Sequence, residues 1–164
     1  MFSLAAKVSP RIKSLASIAK PYWPTFDLCC DHGLIGMYTM EVQKSTELLL
    51  NDCNSNITKR LEIKRNLFAK DLPIRIITAD ASKIELPETS INLFIAGVGA
   101  KKIISILESL YPIPLTHHQL ILNPNRNKDA LGSFLEKKGW NPASSIVQDK
   151  GKYHSIFYNR ATDT

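Results

Sequence analysis

The sequence predicts an α/β fold: a doubly wound parallel sheet that a C-terminal hairpin extends with an antiparallel edge. Three observations carry this. Short apolar runs alternate along the chain with longer stretches whose apolar residues recur at helical spacing, the pattern of strands joined by crossover helices. Polar or glycine residues stand at the end of each apolar run, where such sheets hold their ligands. Near the C-terminus, Asp149-Lys-Gly-Lys152 separates two further strand-like segments, which is a hairpin signal. A chain of 164 residues with 44% hydrophobic content suits one domain of about 100–200 residues.

In order, Ser9-Pro10 opens a helix, the serine hydroxyl placed to cap and the proline at the first helical position. Ile12, Leu15, Ala16 and Ala19 keep helical spacing until Pro21 ends the run. Thr25–Cys30 reads as a buried strand entering the turn Asp31-His32-Gly33, and Leu34–Val42 as a helix. Glu47–Leu50 is a strand closed by Asn51-Asp52, followed by a helix over Asn56–Lys70 with Ile57, Leu61, Lys64 and Phe68 at helical offsets. Ile74–Thr78 is a strand leading to Asp80, and Ile91–Ala96 another, ending at Gly97-Val98-Gly99. Lys102–Leu110 is a helix terminated by Pro112 and Pro114. Gln119–Leu122 is a strand ending at Asn123-Pro124-Asn125, and Asp129–Lys138 a helix closed by Gly139. Ser144–Gln148 and Tyr153–Tyr158 form the hairpin. No repeat, low-complexity run or Ser/Gly linker divides the chain. Residues 1–164 are therefore expected to form a single domain, with 9–20 as opening helix and 160–164 as tail.

Composition narrows the function classes. A charged fraction of 22% excludes global disorder, and no apolar run approaches the ~20 residues of a membrane span. The start of the chain carries Lys7, Arg11 and Lys13 without a long apolar core, so no secretory signal is evident. Three cysteines, two of them adjacent, fit a reducing cytoplasm. Cys29, Cys30 and Cys53 with His117, His118 and His154 make no recognisable metal spacing, so no metal is expected. The net charge of +6 is uneven. Residues 1–20 hold bases and no acid, 57–75 are rich in bases, and 27–52 are acidic. A basic periphery around an acidic centre suits a polyanion bound beside a small polar cofactor; solvated helix faces are the plain alternative.

The strand ends suggest the cofactor. Asp52, 21 positions after Asp31, stands where an acid accepts hydrogen bonds from ribose hydroxyls. Asp80 could accept from an adenine amino group, with Cys53 and Ala81 as neighbours of the two acids. Gly97, Val98 and Gly99 let backbone approach a flat ligand. Structural caps and a tight turn are the alternatives for these groups. In the first turn Cys29 and Asp31 stand where glycines would cradle pyrophosphate. A carboxylate there repels phosphate, which disfavours a nicotinamide dinucleotide and favours a cofactor with a cationic end, such as S-adenosylmethionine.

At this point the residues resemble a family. Asp27-Leu-Cys-Cys-Asp31-His32-Gly33, Asp52, Asp80, Ala96-Gly97-Val98-Gly99 and Asn123-Pro124-Asn125 are similar to motifs of the bacterial tRNA (adenine-22 N1)-methyltransferases. That family reads D-I-G-S-D-H, an acid, G-D, A-G-M-G-G and Q-P-N at these places. Ser9-Pro-Arg11-Ile12 resembles its S-K-R-L opening, and Ile103–Leu110 its I-V-x-I-L-E-x-G helix. The resemblance runs from Ser9 to about Asn159. Cys29, Cys30, Ala100 and Asn123 depart from the family's glycine, serine, glycine and glutamine. The family's C-terminal helical domain has no counterpart in these residues.

The resemblance implies a Rossmann-like class I methyltransferase sheet, S-adenosylmethionine as cofactor, and N1 of a tRNA adenine as target. Asp27, Cys29, Asp31, His32, Asp52, Cys53, Asp80, Ala81, Gly97, Val98 and Gly99 become cofactor-binding candidates. Asp31 and His32 are the catalytic candidates. Methylated N1 is cationic, and a carboxylate can compensate that charge or take an amino proton; Asp31 contacting the methionyl ammonium is the alternative. His32 is a proton carrier or a turn residue. Asn123 and Asn125 are candidates for the target-base edge, or form an Asx turn around Pro124. The fourth strand lacks the N/D-P-P-Y/F/W loop of exocyclic-amine methyltransferases, which fits attack by a ring nitrogen of an unpaired base.

Arg11 and Lys13 are expected to hold tRNA or other RNA, helped by Lys59, Arg60, Lys64 and Arg65, with a partner protein or second copy as another source of RNA contacts. The rival readings are a non-catalytic RNA-binding protein with a decayed pocket and a methyltransferase of another substrate class.

Overall fold

The computed structural model describes residues 7–110, 117–140 and 142–159. Pro112 and Pro114, read as a helix end, and the 160–164 tail lie outside these residues. Helix α1 spans Pro10–Ile18; the Ser9 hydroxyl accepts from the Ile12 N–H at 3.4 Å, and Pro10 takes the first turn. Strand β1 (Thr25–Leu28) leads to α2 (Leu34–Gln43), β2 (Leu48–Asp52), α3 (Ser55–Phe68) and β3 (Ile74–Thr78). A short 3-10 turn at Ala81–Lys83, not anticipated from the sequence, precedes β4 (Asn92–Ala96). There follow α4 (Ala100–Leu110), β5 (Gln119–Asn123), α5 (Lys128–Lys137), β6 (Ala143–Asp149) and β7 (Lys152–Tyr158).

The sheet has the order β3-β2-β1-β4-β5-β7-β6. Strands β1 to β5 are parallel, and the strand order reverses between β1 and β4. The hairpin is antiparallel, as expected, but its second strand is the inner one: β7 pairs with β5 and leaves β6 at the edge. Strand β1 ends at Leu28 instead of Cys30. Cys29 has φ 57°, and a left-handed residue cannot continue an extended ladder.

Alternation across the pleat builds two cores. Phe26, Leu28, Leu49, Leu93, Ile95, Leu120 and Leu122 face Ile103, Ile106 and Leu107 of α4 and Leu131 and Leu135 of α5. On the other face, Phe94, Ala96 and Ile121 meet Leu15 and Ala19, while Leu48 and Leu50 meet Leu61 of α3. In register, Leu28 lies beside Asn51 and Ile95, and Ala96 beside Asn123. The carboxyl ends of four strands therefore stand level, at the reversal point.

Candidate active site at the carboxyl ends of the strands

The turn after β1 is made of left-handed residues at Cys29, Asp31 and Gly33, with φ of 57°, 49° and 67°. A non-glycine residue in this region costs about 1–2 kcal/mol, so the turn persists because its surroundings hold it. Asp52 is one support, beside the Cys30 N–H donating to the Asn51 carbonyl and the Gly33 N–H to the Cys30 carbonyl. Its Oδ2 accepts the Asp31 N–H at 3.1 Å and its Oδ1 the Asn54 N–H at 2.9 Å. An ionised carboxylate has about four lone-pair directions, so one on each oxygen remains for a ligand. Asp31 and His32 project from the same turn with most of each side chain exposed, His32 Nε2 lying 3.7 Å from Asp31 Oδ2.

Asp80 caps the 3-10 turn, its Oδ1 accepting from the backbone N–H and hydroxyl of Ser82. Those bonds hold its carboxyl below the ordinary range. Its Oδ2 has no partner among the described residues, so capping and ligand binding are compatible. Lys102 of α4 stands 3.7 Å from Asp80 and also acts electrostatically on Cys29. The sequence reading missed it, although the pair Lys101-Lys102, one residue beyond the glycine run, was a usable signal. Burial pushes the Cys29 thiol up to about 11 and the Cys30 thiol further, so both stay protonated and unreactive at neutral pH. Cys53 is exposed, and Ala81 is packed in the core beneath the turn.

The loops after β4 and β5 are clasped together. The Asn125 N–H donates to the Val98 carbonyl at 2.9 Å, and Asn125 Nδ2 to the Gly97 carbonyl at 3.0 Å. Gly97 has φ 75°, and a Cβ on it would meet nothing within 4 Å. Val98 is partly buried against the core. Gly99 carries the Arg126 side chain, whose Nε would lie 2.8 Å from an added Cβ.

Several other candidates have hydrogen-bond partners within the fold. Asp27, next to last in β1, is buried, and its Oδ2 accepts the Gly36 N–H at 2.9 Å. Asn123 is buried with both ends of its amide engaged, Oδ1 accepting from Arg11 at 2.8 Å and Nδ2 donating to the Ser155 carbonyl at 2.8 Å. Arg11 thus anchors α1 to β5 and β7, while Lys13 is exposed. On α3, Arg65 pairs with Glu62, and Arg75 pairs with Glu47. Arg60 and Lys64 line a cavity of about 100 Å³ with Asp31 and His32. His118 is an internal prop: its Nδ1 accepts from the Ile91 N–H, and burial lowers its pKa. Among the described residues no cluster of His, Cys, Asp and Glu is arranged to hold a metal, and no helix is long and apolar enough to cross a membrane.

Asp27 sets a pH dependence. Burial pushes its carboxyl from 3.8 up to about 7, against the opposing pull of the Gly36 N–H and of Arg11. The folded chain then keeps a proton that the unfolded chain releases near 4. The associated stability is full below about pH 4 and is lost as pH rises through about 7. Asp27→Asn is expected to flatten the melting temperature between pH 5 and 7; a slope equal to wild type would assign the effect elsewhere.

Comparison with known proteins agrees with this architecture. Residues 8–157 match the family model described as a methyltransferase domain, and the chain belongs to that family. A search of the curated proteins found no match. Among solved structures, an uncharacterised Listeria monocytogenes protein superposes with a TM-score of 0.82 at 18% identity, over 96% of this chain and 70% of that one. The B. subtilis m1A22 tRNA methyltransferase TrmK gives 0.78 at 20% identity, over 96% and 68%. M. capricolum TrmK, in complex with S-adenosyl-homocysteine, gives 0.76 at 17%, over 93% and 68%. At such identities the likeness is one of fold.

Proposed function

We propose that this chain is an S-adenosylmethionine-dependent methyltransferase that modifies RNA, with N1 of a tRNA adenine as the target. The observation that carries the reading is the set of groups that follow the carboxyl ends of the strands: Asp52 and Asp80, each with acceptor capacity to spare, and the open backbone of Gly97. The donor set fits the cofactor. In this reading Asp52 would accept from ribose hydroxyls, Asp80 Oδ2 from the adenine amino group, and Asp31 would meet a cation. The bound cofactor supplies an electrophilic methyl group on a sulfonium. Asp31 then compensates the charge that develops on the methylated base, or takes the amino proton, while the protein's main contribution is positioning. The tRNA assignment is supported by the motifs shared with the m1A22 family and by the solved relatives whose fold this chain shares.

Isothermal titration with S-adenosylmethionine tests the first half; no heat and no thermal shift would reject it. Methyl transfer to bulk tRNA, with the product mapped, tests the second. Methylation of protein or small molecules without RNA methylation would select the rival substrate class, and cofactor-free RNA binding the non-catalytic one. Gly97→Ala sharpens the assignment. With nothing within 4 Å of the new Cβ, its stability cost should be the left-handed strain alone, about 1 kcal/mol. A cofactor seated on this backbone would lose on the order of tenfold or more in affinity. Unchanged affinity would place the cofactor elsewhere.

A further inference from the structure

The turns after β4 and β5 enclose a second feature that the cofactor reading does not use. A cavity of about 310 Å³ opens there, lined by Gly99, Ala100, Lys101, Lys102, Ser105, Arg126 and Asn127. Three of these are cations and none is an acid. They come from places far apart in sequence: Lys101 and Lys102 from the first turn of α4, Arg126 from the loop after β5. The clasp between Asn125 and the Gly97–Val98 backbone brings them together, as does the Ala100 N–H donating to the Arg126 carbonyl at 3.2 Å. Among the described residues the one carboxylate within ion-pair distance of any of the three is Asp80, 3.7 Å from Lys102. Lys101 and Arg126 are left without an anionic partner. All three side chains are solvent-exposed, so they are open to an incoming anion, and their excess positive charge at one cavity favours one. On the basic 57–75 stretch, by comparison, Arg65 of α3 and Arg75 of β3 are paired with Glu62 and Glu47.

We propose that this cavity binds a phosphodiester group of the RNA substrate, with Lys101 and Arg126 as the direct contacts and Lys102 shared with Asp80. The inference rests on the RNA reading above and deepens it. Gly99 lines the cavity and also closes the Gly97-Val98-Gly99 run, so a phosphate held there lies beside the place where the target base must enter. The site positions the strand without reading sequence, which is what phosphate contacts do.

The test uses fluorescence anisotropy of labelled tRNA on the whole chain, with Lys101→Gln and Arg126→Gln singly and together, and with Lys137→Gln on α5 as a charge-matched control. The double variant should bind RNA on the order of tenfold more weakly and reduce the slope of log affinity against log salt by about 1.4, or 0.7 per cation. S-adenosylmethionine affinity and melting temperature should stay at wild-type values. Arg126→Lys should retain most binding. Wild-type RNA affinity and salt slope in the double variant would overturn the proposal, as would losses matched by Lys137→Gln. Inorganic phosphate titrated at constant ionic strength separates the sources. Phosphate that competes with RNA in the wild type and not in the double variant is the expected result, whereas phosphate bound through Lys101 and Arg126 with RNA affinity unchanged would reassign the cavity to a free phosphate and overturn the proposal. Because binding is read apart from methyl transfer, salt-dependent RNA binding through these residues without methylation would reject the enzymatic reading and leave this one standing. No RNA binding at all would reject both.

Discussion

Asp52→Ala is expected to weaken S-adenosylmethionine binding by a factor on the order of a hundred or more. Hydrogen bonds to a charged acceptor contribute about 1.5–3 kcal/mol each, and two ribose hydroxyls on one carboxylate reach that factor at about 3 kcal/mol. The same substitution also removes the acceptor of the Asp31 and Asn54 N–H groups, so stability must be read alongside. A double-mutant cycle separates the two roles. A cofactor analogue without ribose hydroxyls should bind wild type as weakly as the natural cofactor binds Asp52→Ala, and the mutation should add little to that loss. Additive losses would confine Asp52 to supporting the turn.

Gly36→Val is expected to be the most damaging single change to the fold. A Cβ at this position would lie 2.8 Å from Leu48 Cδ1, 2.9 Å from Leu50 Cδ2 and 3.1 Å from Asp27 Cβ. Leu48, Leu50 and Asp27 are all but fully buried, so there is little room to retreat. Overpacking of this kind costs about 3 kcal/mol, a fall in melting temperature on the order of 6–12 °C for a chain of this length. The Gly36 N–H also donates to Asp27, so the displaced helix should take the Asp31–His32 turn with it and weaken cofactor binding. Thermal denaturation of Gly36→Ala and Gly36→Val should give a graded loss; a valine variant as stable as wild type would mean that α2 can shift without cost.

How far the site was legible in the sequence depended on the kind of residue. Asp52 and Asp80 stood out because each follows an apolar strand run, and a strand's carboxyl end is locally marked. Each also holds backbone, Asp80 as the cap of the 3-10 turn and Asp52 on the Asp31 and Asn54 N–H groups, since one carboxylate can accept from backbone and ligand together. Asn123 occupies an equally conspicuous position, yet its side chain turns inward. At the end of β5 it shares a face with Ile121 and meets Arg11 and Ser155. Lys102 and Arg126 were passed over for the opposite reason: neither belongs to a motif, and they acquire meaning through the clasp between the two loops.

The sequence by itself determined the alternation of strands and helices, the caps of α1, the hairpin and the polar strand ends. Each of these is a local property of apolar period and turn chemistry. The tertiary structure alone decided that β7 inserts between β5 and β6, and that Arg11 and Asn123 are bound to each other. It also decided that Asp27 is buried against the Gly36 N–H and that three cations line one cavity. These depend on register and on which face of the sheet a side chain takes, and contacts between residues far apart in sequence leave no periodic trace along the chain.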